Sequence, residues 1–144
     1  MKWQNVAIDD LRGYHALKES LEGIAMQIEA LTAKLEAIKG SPDLSQTRVQ
    51  GGKRNSDDFK VDTIVQRDKL KKLLKANRLT VRFVERALAA LTTDERLVLE
   101  ILFISPSRGD VDYLSDEFHC GRSEVYRMRD AALKKFTMYL YGKG

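Results

Sequence analysis

The chain has 144 residues, of which 43% are hydrophobic, and it carries two prolines, one cysteine and a net charge of +4. This length allows one domain, or one small domain with an appended helical arm. One cysteine excludes a disulfide framework within the chain, and neither a signal-peptide core nor an apolar run of membrane-spanning length is present, so we expect a cytoplasmic protein. Abundant Leu, Ala, Lys, Glu and Arg, without runs of alternating polarity, predict an all-α fold.

The positive charge is concentrated in the middle of the chain. Residues 40–91 carry 12 basic and 6 acidic side chains, whereas residues 1–39 carry 5 and 6, and residues 92–144 carry 8 and 9. An excess of cations in one region attracts a polyanion. The same excess is also typical of a solvated, lysine-rich helix face, and both interpretations stay open.

The first predicted helix covers residues 6–39. Its apolar residues alternate at spacings of three and four, which defines a heptad seam that must pack against another helix. That partner is either the next helix of the same chain, in an antiparallel hairpin, or a second copy, in a homodimer through residues 14–38. The seam consists of Tyr14, Leu17, Leu21, Ile24, Ile28, Leu31, Leu35 and Ile38.

Residues 40–58 are predicted to form a loop. Gly40 and Pro42 end the first helix, and the following residues are polar or glycine and show no periodicity. A loop of this length exceeds the usual connection between helices. It serves either as a flexible tether or as a basic arm that contacts nucleic acid or a partner, with Arg48, Lys53 and Arg54 as its cations.

A second long helix is predicted over residues 60–91. Its seam consists of Leu70, Leu74, Asn77, Val81, Val84, Leu88 and Leu91, and its opposite face carries Arg67, Lys71, Lys72, Lys75, Arg78, Arg82 and Arg86. A polar residue such as Asn77 within a seam fixes the register of the packing. Residues 1–91 are therefore predicted to form a helical hairpin or coiled-coil arm, with residues 92–144 as a separate C-terminal domain.

The C-terminal region begins with a third predicted helix. Thr92 followed three residues later by Glu95 is the pattern of a capping box. Residues 97–104 are apolar on nearly all sides, which predicts the buried centre of this region. The polar segment 105–110 ends the helix.

Residues 111–140 have the pattern of a helix-turn-helix. Val111, Leu114 and Phe118 line one face of a short helix, and residues 119–121 form a tight turn. The last helix begins at Gly121 or Arg122 and carries a branched apolar anchor, Val125, near its start. In such a unit one helix is held rigidly while its N-terminal face enters the major groove of DNA. The free face presents Arg122, Ser123, Tyr126, Arg127 and Asp130, whereas Arg129, Lys134 and Lys135 lie at positions suited to phosphate contacts.

Four segments in this region resemble region four of bacterial sigma factors. They are LTTDERLVL (91–99), YLSDEF (113–118), SEVYR (123–127) and AALKKF (131–136). The whole chain is also similar to the ArpU-like late-transcription regulators of phages and prophages of Gram-positive hosts. Those proteins combine an N-terminal helical part, a basic Ser/Gly-rich loop and a C-terminal domain of this kind.

The resemblance implies that the chain binds promoter-region DNA. RNA polymerase is a further candidate partner, since the acidic residues Asp110, Asp112, Asp116 and Glu117 either face a basic polymerase surface or are solvated. Carried over position by position, the residues of the recognition helix are Arg122, Ser123, Glu124, Tyr126 and Arg127. His119 stands where the family usually has a glycine, so this position is predicted to be left-handed. Gly121 stands where a Ser or Thr usually caps the helix. Residues 1–91 show no sigma region two, so the chain is not expected to open promoters by itself.

The sequence offers no constellation for catalysis, and we expect neither an enzyme nor a cofactor or metal site. The two histidines, His15 and His119, lack metal-ligand spacing, and Cys120 lacks a matched base. The favoured function is a sequence-specific transcription regulator that reads DNA with the helix 122–136. Two alternatives are a phage DNA-packaging factor like a small terminase subunit, and a coiled-coil assembly protein that binds no nucleic acid.

Overall fold

The computed structural model describes residues 2–39 and 51–144, and within these ranges all regular structure is helical, as predicted. Five α-helices follow in chain order, with a π-helical turn over Glu100–Ile104 between the third and the fourth. The helices are α1 (Trp3–Lys39), α2 (Gly51–Ala89), α3 (Thr93–Leu99), α4 (Asp110–Glu117) and α5 (Arg122–Tyr141).

The second helix begins nine residues earlier than predicted, at Gly51 instead of Lys60. The predicted loop 40–58 is therefore wrong over residues 51–58, and its remainder, with Arg48, lies outside the described residues. Once a long helix has formed, each residue added at its end costs little, even a glycine, which is only about 1 kcal/mol less favourable than alanine. Gly51 and Gly52 are the first two residues of α2, and the local composition that predicts a loop does not report this cooperativity.

Both predicted seams are buried within the single chain. All eight seam positions of α1 are buried or half-buried, with Ile24 and Leu35 only 7% and 5% exposed. In α2, Val81 and Val84 are 3% and 2% exposed. The α1 seam is thus already covered within one chain, so a homodimer through the same residues would have to replace these contacts.

The chain divides into two compact units, which do not follow the predicted boundary between residues 91 and 92. One unit contains residues 1–18 and 79–144, and the other contains residues 19–78. The reason is that both ends of the predicted arm bury their apolar residues with the C-terminal helices. In the unit of residues 19–78, Thr63 is buried, and its hydroxyl donates a 2.7 Å hydrogen bond to the carbonyl of Phe59.

The unit of residues 1–18 and 79–144 has a core drawn from four helices and the π-helical turn. Burial of this apolar surface, at roughly 25 cal/mol per Å², is the main force that holds the segments together. The core residues are Ala7, Leu11, Val84, Ala87, Leu88, Leu91, Leu99, Phe103, Ala132, Leu133 and Phe136. The C-terminal region therefore shares one core with the first turns of α1 and the last turns of α2.

Polar contacts between α1 and its neighbours reinforce this core. The hydroxyl of Tyr14 donates a 2.6 Å hydrogen bond to Glu85, and the ammonium of Lys18 lies 3.0 Å from the same carboxylate. These two donors lower the pKa of Glu85.

A second contact joins α1 to α5. The hydroxyl of Tyr141 donates a hydrogen bond to Asp10, whose pKa is raised by burial and by the neighbouring Asp9. The last turn of α5 is thus tied to α1.

Candidate nucleic-acid interface

The helices α4 and α5 are joined by a four-residue turn that is closed by hydrogen bonds. The backbone N–H of Phe118 donates to Leu114 at 2.9 Å, and that of Cys120 donates to Ser115 at 3.0 Å. The Ser115 hydroxyl donates back to the carbonyl of Cys120. Ser115 on α4 is therefore joined to Cys120 by two hydrogen bonds, which fix the direction in which α5 begins.

Two predictions about the backbone of this turn are confirmed. His119 has a φ of +52°, in the left-handed region that favours glycine. Gly121 caps α5 with an extended backbone and provides no side-chain hydrogen bond to the helix. Cys120 is half-buried and packs against the second hydrophobic cluster of this unit, as a small core residue would.

That second cluster anchors the start of α5. Its fully buried members are Val98 from α3, Leu114 from α4 and Val125 from α5, each 0% exposed. The half-buried residues around it are Leu97, Ile101, Leu102, Val111, Phe118, Cys120 and Met128. The predicted burial of the 97–104 segment is confirmed at Val98, Leu99 and Phe103, and the prediction of Val125 as an apolar anchor is confirmed as well.

The capping box of α3 links this helix to α5. The Thr92 side chain accepts from the N–H of Glu95 at 3.2 Å, and Glu95 accepts from the N–H of Thr92 at 2.9 Å. Glu95 also lies 2.7 Å from the Lys135 ammonium on α5. The Lys135 hydrogen bond is the main reason that the pKa of Glu95 is lowered, and the N–H of Thr92 adds to it. Lys135, predicted at a phosphate-contacting position, thus has an intramolecular partner.

The start of α4 depends on features that the sequence reading did not single out. Gly109 caps the helix with a φ of +81°. The Asp110 carboxylate accepts from both the backbone N–H and the hydroxyl of Ser107, at 2.6 and 2.8 Å. The sequence pattern that indicates this cap is Ser-x-Gly-Asp at residues 107–110, in which a short side chain that accepts hydrogen bonds follows a glycine.

All seven predicted DNA-contacting residues lie on α5, but they do not form one stripe. Over the first six residues of the helix only Val125 is buried, so the side chains from the first turns extend into solvent on both sides of it. Lys134 is also exposed, but it lies more than one helical turn beyond these first six residues of α5. The exposed members are Arg122, Ser123, Glu124, Tyr126, Arg127 and Lys134, whereas Arg129 is half-buried.

Each arginine at this end of α5 has an acidic neighbour. Arg122 lies 3.3 Å from Asp112 on α4, and Arg127 lies 3.2 Å from Glu124 one helical turn earlier. Arg129 lies 2.9 Å from Asp130, and its guanidinium is 5.0 Å from the centre of the Tyr126 ring. Each of these arginines therefore has an acidic partner within the unit. Sequence reasoning had assigned no intramolecular role to Asp112, since a pair between two helices depends on how they pack.

Two structural criteria address other classes of site. No group of three or more His, Cys, Asp or Glu suitable for a metal ion occurs within the ranges 2–39 and 51–144. None of the helices in the described part of the chain combines the length and the apolar character needed to cross a membrane.

Fold and site together define an all-α protein in which two helices and a tight turn present an arginine-rich helix end. The chain belongs to the family described as "Protein of unknown function (DUF1492)", whose model matches residues 38–137. That match covers all of α2, α3 and α4, and α5 as far as Thr137. Neither the curated proteins nor the solved structures contain a match to the chain.

Proposed function

We propose that this protein is a sequence-specific transcription regulator, encoded by a phage or prophage, that binds promoter-region double-stranded DNA through the helix 122–136. The observation that carries the proposal is the presentation of α5. Its first turns are anchored by Val125 and by the bonded turn at Ser115, while five neighbouring side chains extend into solvent. A rigidly held helix with a free N-terminal end is what the major groove accommodates.

The residues at this helix end have the chemistry needed to read bases. An arginine such as Arg127 pairs bidentately with the edge of guanine, a carboxylate such as Glu124 accepts from the amino group of cytosine, and Ser123 contacts either a base or a phosphate. Arg129 and Lys134 contact phosphates, which position the protein without specifying a sequence. The resemblance to sigma region four supports the same assignment, and it also makes RNA polymerase a proposed partner.

The ion pairs of the arginines are compatible with DNA binding. An exposed pair contributes only about 0–1 kcal/mol to stability, so an arginine can exchange a carboxylate for a guanine edge or a phosphate at small cost. In the free protein, the pairs with Asp112 and Glu124 partly neutralise the charges of Arg122 and Arg127.

The proposal is tested by selecting from a pool of random duplex DNA with the purified full-length protein at two salt concentrations and sequencing the retained fraction. An enriched motif supports a sequence-reading regulator, and a two-fold symmetric motif supports a homodimer. Retention without a motif and with a steep salt dependence contradicts base reading and favours a packaging factor. Absence of retention at both salt concentrations contradicts DNA binding and favours a coiled-coil assembly protein.

A further inference from the structure

The strongest concentration of positive charge among the described residues lies on α2. The ten residues from Lys69 to Arg78 contain five basic side chains and no acidic one. All five are exposed, and none makes an ion pair with another residue in the described ranges. We call this set the α2 basic face, and its members are Lys69, Lys71, Lys72, Lys75 and Arg78.

Helical spacing brings these cations close to one another. Lys71 and Lys75 are four residues apart, and Lys72, Lys75 and Arg78 follow at intervals of three. Residues at these spacings are neighbours on a helix surface, and like charges there repel. Arg67, at the edge of this segment, differs because it is half-buried and lies 3.9 Å from Asp68. Asp68 is the one acid of α2 within a helical turn of this face, three and four residues before Lys71 and Lys72, so the repulsion among the five cations is only partly offset.

The other helix of the same unit has the opposite charge. Within residues 19–38, α1 carries four exposed acidic side chains and one lysine. The acidic residues are Glu19, Glu22, Glu29 and Glu36. Within residues 69–78, the cations are thus not interspersed with acids, unlike those of an ordinary solvated surface.

We propose that the α2 basic face is a second DNA-contacting surface, which binds the phosphate backbone of double-stranded DNA without reading its sequence. This inference rests on the proposed function. The segment is about 13 Å long, and duplex DNA carries one charge per about 1.7 Å of its axis, so a stretch of the same length offers about eight phosphates to five cations. Four of the five are lysines, whose flexible point charges suit phosphate contacts.

The test compares the wild-type protein with the triple variant Lys71→Gln, Lys72→Gln, Lys75→Gln in titrations against its selected duplex and a scrambled duplex, over a series of salt concentrations. The slope of log affinity against log salt is expected to become less steep by up to about 2.7, because each lost phosphate contact removes about 0.9. Affinity should fall by the same factor for both duplexes, so that the preference between them is unchanged.

Two controls isolate the charge of this surface. The variant Lys71→Arg, Lys72→Arg, Lys75→Arg keeps the three charges and should retain the wild-type slope. Lys34→Gln, on α1 of the same unit, lowers the total charge by one and should change the slope by much less than the triple variant. Circular dichroism should show unchanged helicity for the glutamine variant, and its Tm should not fall, since like-charge repulsion has been reduced.

The outcomes separate this inference from the proposed function. If the wild-type protein selects a motif but the glutamine variant keeps the wild-type slope, the α2 basic face does not contact phosphates, and reading by α5 stands. If the variant loses its preference for the selected duplex, the inference of a sequence-independent contact is overturned. If the wild-type protein retains no duplex, the proposed function itself fails.

Discussion

Arg127 lies on the exposed side of α5, with its side chain 77% accessible and its guanidinium held by Glu124. Replacing it with alanine, Arg127→Ala, should reduce discrimination at one base pair by about 1–3 kcal/mol, because a bidentate contact to a guanine edge is lost. Competition titrations with duplexes that carry single base changes measure this loss. The control Arg108→Ala removes an exposed arginine outside α5 and should leave the preference unaltered; equal effects of the two variants would refute the assignment.

Gly109 caps the N-terminus of α4 in a left-handed backbone conformation that favours glycine. Its φ is +81°, and a Cβ added there would meet no atom within 4 Å, so steric contact with neighbours plays no part. Gly109→Ala should lower the free energy of unfolding by about 1 kcal/mol through left-handed strain alone. Gly13→Ala, in the interior of α1 and equally uncrowded, should raise it by about 0.8–1 kcal/mol. Denaturant melts of both variants test this, and shifts of the same sign would contradict it.

At the scale of elements, α3 is held by a charge pair with a defined pH dependence. The pKa of Glu95 is below its ordinary 4.5 because Lys135 donates to it. The unfolded chain binds the proton more tightly, so the stabilisation is complete above about pH 4.5 and is lost as the pH falls through the lower, folded-state pKa. Glu95→Gln, which keeps a capping-box side chain, should lower Tm by a few degrees near neutral pH and by progressively less below pH 4.5.

The matched control for this pair is Asp94→Asn, which removes a charge from the same helical turn without touching Lys135. Thermal melts of both variants and the wild type at several pH values give the comparison. The difference in Tm between the wild type and Glu95→Gln should become smaller as the pH is lowered. A difference that stays constant down to pH 3 would mean that the ion pair contributes nothing, and that only the neutral cap matters.

At the scale of the whole molecule, the shared core predicts that α1 supports the candidate DNA-binding helices. Leu11 is fully buried in one cluster with Leu99 and Phe136. Leu11→Ala should cost about 2–5 kcal/mol and increase amide hydrogen exchange in α5. Met26→Ala, at a 61% exposed position of the same helix, is the control and should have little effect. Unchanged exchange in α5 of Leu11→Ala would show that residues 92–144 fold independently of α1.

Local patterns were sufficient to predict much of this protein. The three-four spacing of apolar residues identified the long helices and their buried faces, since a helix repeats every 3.6 residues whatever its surroundings. The cap at Thr92 and Glu95, the left-handed position of His119 and the anchor at Val125 were also predicted, because each depends on residues close together in the chain.

Tertiary structure alone decided the features that depend on distant segments. The core that joins Leu11, Leu88 and Phe136 crosses the predicted domain boundary, because an apolar face indicates that it will be buried but not which other face will cover it. The pair between Arg122 and Asp112 likewise required the packing of two helices. The sequence by itself determined which faces of the helices must be buried; the three-dimensional packing decided their partners, and through them the rigid presentation of α5.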